Sequence, residues 1–187
     1  MSLRTHFVLK LTLVVFVSVL FSQFAGISST GLTPDPIVAS AATHEKQSHQ
    51  ATYPDLIKYP HAWLLVSLKH QRVYVMNGKT KLYTMLASTG MHDSTPTGTF
   101  HIEAERGTYF YAPRFNEGAY DWVSWKDHGV YLFHSTPTDE QKNILPGPKA
   151  DLGKRPSSHG CVHLSIPDAH WVYETIPTGT TVKIIKG

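Results

Sequence analysis

The sequence predicts a mainly β domain with one short helix and long loops. Three observations carry that prediction. Between Trp63 and Phe133 the apolar and β-branched residues fall into short runs of the length of strands. Turn signals punctuate those runs, Asn77-Gly78 above all, because both positions tolerate positive φ. Helical spacing occurs convincingly once, where Ala169, Val172, Tyr173 and Ile176 stand at i, i+3, i+4 and i+7.

The elements follow in order. Arg4 and Lys10 precede an apolar run from Leu11 to Phe21, a positively charged start followed by a hydrophobic segment. The run is short for a bilayer span. Ala39-Ser40-Ala41 fits a small-residue cleavage site, so residues 1–41 are expected to be a signal peptide, with an uncleaved anchor as the alternative. Either way the protein is expected to be exported to the cell envelope or beyond, and it meets a membrane only if the segment is uncleaved. Residues 42–60 are polar and read as linker and lead-in, leaving 61–187 as the folded domain.

Trp63–Leu68 and Arg72–Met76 form the first strands, around a turn at Lys69–Gln71. After Asn77-Gly78, Lys81–Ser88 returns as a third strand, and Thr99–Ile102 is a fourth. Residues 106–120, rich in Gly and Tyr, are expected to be a surface loop lined with aromatics (Tyr109, Phe110, Tyr111, Phe115). Tyr120–Trp125 and Val130–Phe133 are further strands, the second ending at His134-Ser135. A long loop from Thr136 to Pro156 follows, of a length often tied to function. Ser165 caps the helix, Pro177-Thr178-Gly179 stops it, and Thr181–Ile185 is the last strand.

Composition narrows the function. The formal charge is +3, and loss of Arg4, Lys10 and Asp35 with the signal peptide makes it +2. No basic block with interleaved aromatics points to nucleic acid. The chain has one cysteine, Cys161, so no intramolecular disulfide staples the fold. The 146 residues that remain after cleavage must supply their own core.

That cysteine stands in Ser157-Ser158-His159-Gly160-Cys161-Val162-His163-Leu164. A free cysteine is often plain core filling, but a core strand rarely reads Ser-Ser-His-Gly-Cys. An imidazole can take up a thiol proton, and a glycine lets the backbone come close to a substrate. His134, His159 and His163 are the candidate bases. His134 is preferred because it closes a strand, where catalytic groups are commonly presented. Backbone N–H groups at Gly160 and Cys161 are candidate donors to an oxyanion. Metal binding is the competing use, since His159 and His163 are spaced i, i+4 with Cys161 between them. Gly160 and Pro156-Ser157-Ser158 argue against the helix that this spacing needs, and neither H-E-x-x-H nor a paired-cysteine motif occurs.

These residues carry a resemblance. Leu152-Gly153 through Leu164, with Ser158-His159-Gly160-Cys161-Val162 at its heart, resembles the signature of the L,D-transpeptidase catalytic domain (YkuD family). His134-Ser135-Thr136-Pro137 resembles that domain's histidine segment. Thr95-Pro96-Thr97-Gly98-Thr99-Phe100 is similar to its strand-entry turn, and Gly179-Thr180-Thr181-Val182 to its closing strand. The resemblance spans about residues 62–187. It implies an L,D-transpeptidase-type, β-sandwich-like catalytic domain with no metal and no organic cofactor. It implies attack by Cys161 on the bond before the terminal D-Ala of a peptidoglycan tetrapeptide stem, with release of D-Ala. Transfer of the thioester to an amine on a neighbouring stem would make a 3→3 cross-link, and transfer to water would make the protein an L,D-carboxypeptidase. His134 would be general base and acid. Ser135 and His159 would orient the imidazole or line the site, and the backbone at His159, Gly160 and Cys161 would hold the oxyanion. Tyr131, Arg155, Ser158 and His163 are the expected substrate contacts, donor and acceptor stems the expected partners, and carbapenem-type compounds the expected inhibitors.

His163 departs from the family pattern, which usually has Arg or Asn at that position. An imidazole lacks the fixed charged fork of an arginine, and Arg155 or Lys154 is expected to supply the missing charge. A papain-like arrangement is disfavoured because His134 precedes Cys161, by 27 residues. A sortase is disfavoured because no lysine or arginine stands between Cys161 and Lys183. A non-catalytic wall-binding module is the alternative outside enzymes.

Overall fold

The computed structural model describes residues 52–187. The expected signal peptide and the polar stretch after it, to residue 51, lie outside the described residues. Nine strands are present: β1 (Ala62–Ser67), β2 (Arg72–Asn77), β3 (Thr80–Ser88), β4 (Gly98–His101), β5 (Arg106–Ala112), β6 (Glu117–Lys126), β7 (Tyr131–Ser135), β8 (Val162–Leu164) and β9 (Thr181–Ile185). Among the described residues the α-helices are α1 (Pro146–Asp151) and α2 (Ile166–Thr175), with a short 3-10 turn at Met91–Asp93.

The strands form one sheet in the order β4-β9-β1-β2-β3-β8-β7-β6-β5. A flat sheet of that width would set its edge strands roughly 38 Å apart. Yet β4 and β5, at opposite ends of that order, are joined by residues 102–105 alone, which can reach no more than about 17 Å. The sheet must therefore curl until its ends meet. They do so on β6: Glu103 N–H donates to Ser124 O at 2.8 Å and Ser124 N–H to Glu105 O at 2.9 Å. The fold turns at β3, which pairs with β2 over most of its length and with β8 through Ala87 and Ser88.

Strand alternation then sorts the side chains. Leu64 and Val66 of β1, Val73 and Val75 of β2, Met85 of β3, Phe133 of β7, Val162 and Leu164 of β8, and Val182 and Ile184 of β9 all belong to one buried core. Ala169 and Val172 of α2, and Ile176 just after it, complete it. Burial of each large side chain contributes about 1.5–3 kcal/mol. The mainly β architecture agrees with the sequence expectation. So does α2: Ser165 Oγ accepts from Asp168 N–H at 3.2 Å and donates to the Asp168 carboxylate at 2.8 Å.

Three segments differ from expectation. Residues 106–120, expected as a loop, are β5 and the start of β6, paired from Arg106↔Val123 to Ala112↔Glu117. Their glycines are packing positions. A Cβ on Gly107 would lie 2.7 Å from Trp122 Nε1, and one on Gly118 would lie 2.3 Å from Tyr109 Oη. Glycine there lets aromatic rings lie across the neighbouring strand, so a loop-like composition forms a hairpin. The expected loop 136–156 contains the single turn of α1, and Leu152 is buried. Strand β8 had no counterpart among the expected elements, being only three residues long.

The lead-in also takes part. Tyr53 stacks on Trp171 at 5.3 Å, leans on Tyr83 at 4.8 Å and donates to Asp168 Oδ1 at 3.0 Å. The chain N-terminal to β1 is thereby fastened to the cap of α2. Tyr53→Phe removes one hydrogen bond to a carboxylate and is expected to cost about 1.5–3 kcal/mol. Tyr53→Ala is expected to cost more through the lost ring contacts. Denaturant unfolding of both variants checks the order.

Candidate active site

The parallel pairing of β7 with β8 builds the site. Its register is Phe133↔Val162, His134↔His163 and Ser135↔Leu164. Phe133, Val162 and Leu164 face the core, so His134 and His163 face the other way, side by side, with ring centroids 4.8 Å apart. Cys161, one residue before β8, is on the same side as His163. All three line a cavity of about 280 Å³ with Phe110, Phe115, Glu117, Trp122, Val130 and Leu132. Phe115 and Val130 are 45% and 62% exposed and mark its mouth.

His134 is 5% exposed. Its Nδ1 lies 2.7 Å from Ser135 O, and since a carbonyl only accepts, Nδ1 carries the proton. Nε2 is left as the free base, the tautomer a thiol needs opposite it. Phe110 meets the ring edge-on at 5.4 Å and holds its orientation. Burial lowers the His134 pKa to about 4. Burial likewise raises the Cys161 thiol to about 11, a rise that the Leu132 backbone hydrogen bond opposes and Glu117 reinforces. The resting groups on this cavity are therefore a neutral thiol and a neutral imidazole, with the thiol donating to Val130 O at 3.6 Å.

The turn ahead of Cys161 is tightly held. Gly160 has φ +138°, and a Cβ there would stand 3.0 Å from Tyr131 Cε1 and 3.2 Å from Ser94 O. Thr95 Oγ1, from the Thr-Pro-Thr-Gly-Thr segment, donates to Gly160 O at 2.8 Å. Ser158 Oγ donates to Cys161 O at 2.6 Å and accepts from Gly160 N–H at 3.1 Å. Ser157 and Ser158 N–H both donate to Thr89 O.

The structure distributes the expected site residues differently from one another. Cys161, His134, His163 and His159 meet at the cavity. The His159 ring stacks on Phe115 at 4.3 Å, with Nδ1 3.8 Å from Glu117 Oε2, so it lines the mouth and makes no contact with the His134 ring. Ser135 Oγ donates to Thr136 O and accepts from Tyr120 N–H, so Ser135 reaches the imidazole through its carbonyl and not its hydroxyl. The Gly160 N–H, expected to serve an oxyanion, is engaged by Ser158 Oγ, and Ser158 thus shapes the turn and does not line the cavity. Tyr131 packs on Trp125 and props Gly160 from behind. Arg155 is exposed and paired with Asp151 Oδ1 at 2.7 Å, and neither it nor Lys154 lines the cavity. In this structure that loop brings no charge to His163.

Glu117, Trp122, Val130 and Leu132 line the cavity without having been singled out. The alternation of Leu132 with His134 was the available signal for one of them. Among the described residues one group could hold a cation, Glu103, Glu105 and His128, with ligand atoms within 4.8 Å. Its members pair with one another, His128 Nδ1 with Glu105 Oε1 at 2.8 Å, and Glu103 Oε2 also accepts from Ser124 Oγ.

The chain resembles known proteins in sequence and in fold. Residues 61–184 match the family model of the YkuD L,D-transpeptidase catalytic domain. A Bacillus subtilis (strain 168) protein carrying the provisional name L,D-transpeptidase YciB is 46% identical over 136 residues, covering 71% of this chain and 69% of the relative. A Clostridium acetobutylicum ATCC 824 structure, described as a fused Zn-dependent amidase/peptidase/peptidoglycan-binding domain-containing protein, is 28% identical with a TM-score of 0.51, over 67% of this chain and 52% of its own. The LD transpeptidase LdtMt1 in complex with imipenem matches in fold at 21% identity with a TM-score of 0.55, over 67% and 59%. The chain thus spans somewhat more than half the length of these solved structures.

Two buried, unprotonated imidazoles make stability depend on pH. His163 is 2% exposed, its Nδ1 has no partner, and burial and its neighbour His134 hold its pKa well below the usual value. The unfolded chain takes up protons at both rings near pH 6.5, while the folded chain does so only at much lower pH. Stability is therefore full above about pH 7 and falls as pH drops through 6.5 toward 4, by about 1 kcal/mol per ring at pH 5.5. Thermal melts across this range check it, and His163→Asn is expected to flatten the dependence.

Proposed function

Because the chain belongs to the YkuD family of L,D-transpeptidase catalytic domains, we propose that it is a cysteine-dependent peptidoglycan L,D-transpeptidase that joins stem peptides through 3→3 cross-links. The observation that carries the reading is the β7–β8 register, which sets Cys161 and His134 on one cavity wall with His134 Nε2 free.

The resting pair is neutral, so proton transfer accompanies attack and does not precede it. The thiol proton passes to His134 Nε2 as Sγ bonds to the carbonyl carbon before the terminal D-Ala. The C–N bond breaks, the imidazolium returns its proton to the departing amine, and D-Ala leaves a thioester behind. The imidazolium is a costly species in a buried site, and the Ser135 carbonyl at Nδ1 offsets part of that cost. An amine from a second stem then displaces the sulfur, and the thiol is restored through His134. The leader expected over residues 1–41 would place this work at the cell envelope.

Incubation of purified protein with disaccharide tetrapeptides, followed by mass spectrometry, tests the proposal. Cross-linked dimers and free D-Ala are expected, and tripeptides alone would identify an L,D-carboxypeptidase. Cys161→Ala is expected to abolish both products, and imipenem is expected to add covalently to Cys161 and not to that variant. Formation of D-Ala by Cys161→Ala at the wild-type rate would exclude the cysteine mechanism.

The acid limb of the rate profile is a second expectation. His134 works only unprotonated, so kcat/KM is expected to fall with a midpoint of about 4, well below the usual histidine value. A midpoint near 6.5 would mean that the working imidazole is solvated.

A further inference from the structure

One group in the cavity opposes the chemistry just described. Glu117, at the start of β6, lines the same cavity as Cys161 and His134, and its side chain is 24% exposed. No lysine or arginine lines that cavity. Among the described residues the nearest basic atom to its carboxylate is His159 Nδ1 at 3.8 Å, beyond hydrogen-bonding distance. Half-burial makes the carboxylate harder to ionise, and its charge makes the neighbouring thiolate harder to form. An anion that is costly to hold and hinders acylation lacks a role in the first half-reaction.

The second half-reaction supplies one. The acceptor arrives as an ammonium ion and must enter a cavity otherwise lined mainly by apolar and aromatic side chains. A carboxylate at the mouth, faced among the described residues by no basic group nearer than the His159 ring, attracts and orients a cation through its full charge, whereas a neutral water gains only a hydrogen bond from it. Phe115, stacked on His159 beside it, already holds a cation, the Arg114 guanidinium 5.6 Å from its ring centroid, so this edge of the cavity favours positive charge. We infer that Glu117 is the acceptor-recognition residue, its carboxylate receiving the ammonium group of the incoming stem and so favouring aminolysis of the thioester over hydrolysis. The inference rests on the transpeptidase reading and names the site of its acceptor. In the step itself the ammonium gives one proton to solvent, and the free amine attacks the thioester carbon. The C–N bond forms and the C–S bond breaks. The second nitrogen proton passes through His134 to the Cys161 sulfur.

The test uses Glu117→Gln, which keeps the shape and removes the charge, in the full protein. Acyl-enzyme is formed from a tetrapeptide donor and partitioned between water, an amine-bearing stem peptide and hydroxylamine, a nucleophile that is largely uncharged at neutral pH. Glu117→Gln is expected to acylate at least as fast as wild type, because a neighbouring anion is gone. Its amine-to-water product ratio is expected to fall about tenfold, its hydroxylamine-to-water ratio to hold, and Glu117→Asp to recover part of the loss. A quaternary ammonium ion, which cannot attack, is expected to suppress amine transfer by the wild type without slowing hydrolysis. An unchanged amine-to-water ratio in Glu117→Gln, an equal loss with hydroxylamine, or a wild type that only hydrolyses would overturn the assignment. If Glu117→Gln does not fold, as absence of acylation would reveal, the quaternary-ammonium experiment on wild type decides alone. Failure of wild type to form any acyl-enzyme would instead refute the function proposed above.

Discussion

The three-residue parallel pairing of β7 with β8 is the constraint on which the rest of the structure depends. Strand periodicity gives each residue of the pair a face, and the register decides which face the two strands share. Phe133, Val162 and Leu164 enter the core together, and His134, His163 and Cys161 are turned together toward the cavity. A slip of one residue would send an imidazole into the core and a phenylalanine into the site. Much of the surrounding structure guards against that slip. Thr95 holds Gly160 O, Thr89 holds Ser157 and Ser158, and Ser158 ties the turn to Cys161 O.

Burial sets the chemistry as firmly as it sets the fold. Burial disfavours the charged form of both partners, pushing the half-buried Cys161 thiol up and the buried His134 imidazole down. Such a pair is unreactive at rest, which is why the proposed chemistry couples proton transfer to attack on a bound carbonyl. The Ser135 carbonyl fixes the tautomer without adding a charge, an inexpensive way to aim a base. Glu117 is the exception, a half-buried carboxylate faced by the His159 ring at 3.8 Å, and that is why it is the group proposed to meet a cation.

The limits of local patterning explain what sequence reading captured. Strands β1, β2, β3, β4, β7 and β9 and helix α2 were legible because each has its own periodicity or cap: Asn77-Gly78 for a hairpin, Ser165 for a helix start. Most of β6 was legible as Tyr120–Trp125, but β5 and the first residues of β6 were read as loop because Gly107 and Gly118 serve aromatic rings on the neighbouring strand, which only the pairing reveals. β8 is too short to carry a pattern, and it exists because β3 and β7 hold it from both sides. The docking of Tyr53 onto Trp171 joins residues far apart in the chain and leaves no local trace.

By itself the sequence determined the inventory of the chemistry: one thiol, a glycine beside it, an imidazole at a strand end and a turn rich in proline and glycine. These are properties of residue type and near neighbours, which a linear string displays. Tertiary structure alone decided where each lies. It turned His159 outward onto Phe115, set His163 against His134, left Arg155 on the surface with Asp151 and brought Glu117 to the thiol. The reason is physical: which face of a strand is buried, and which charge is left without a partner, are settled only when strands distant in sequence pair and the sheet closes on itself.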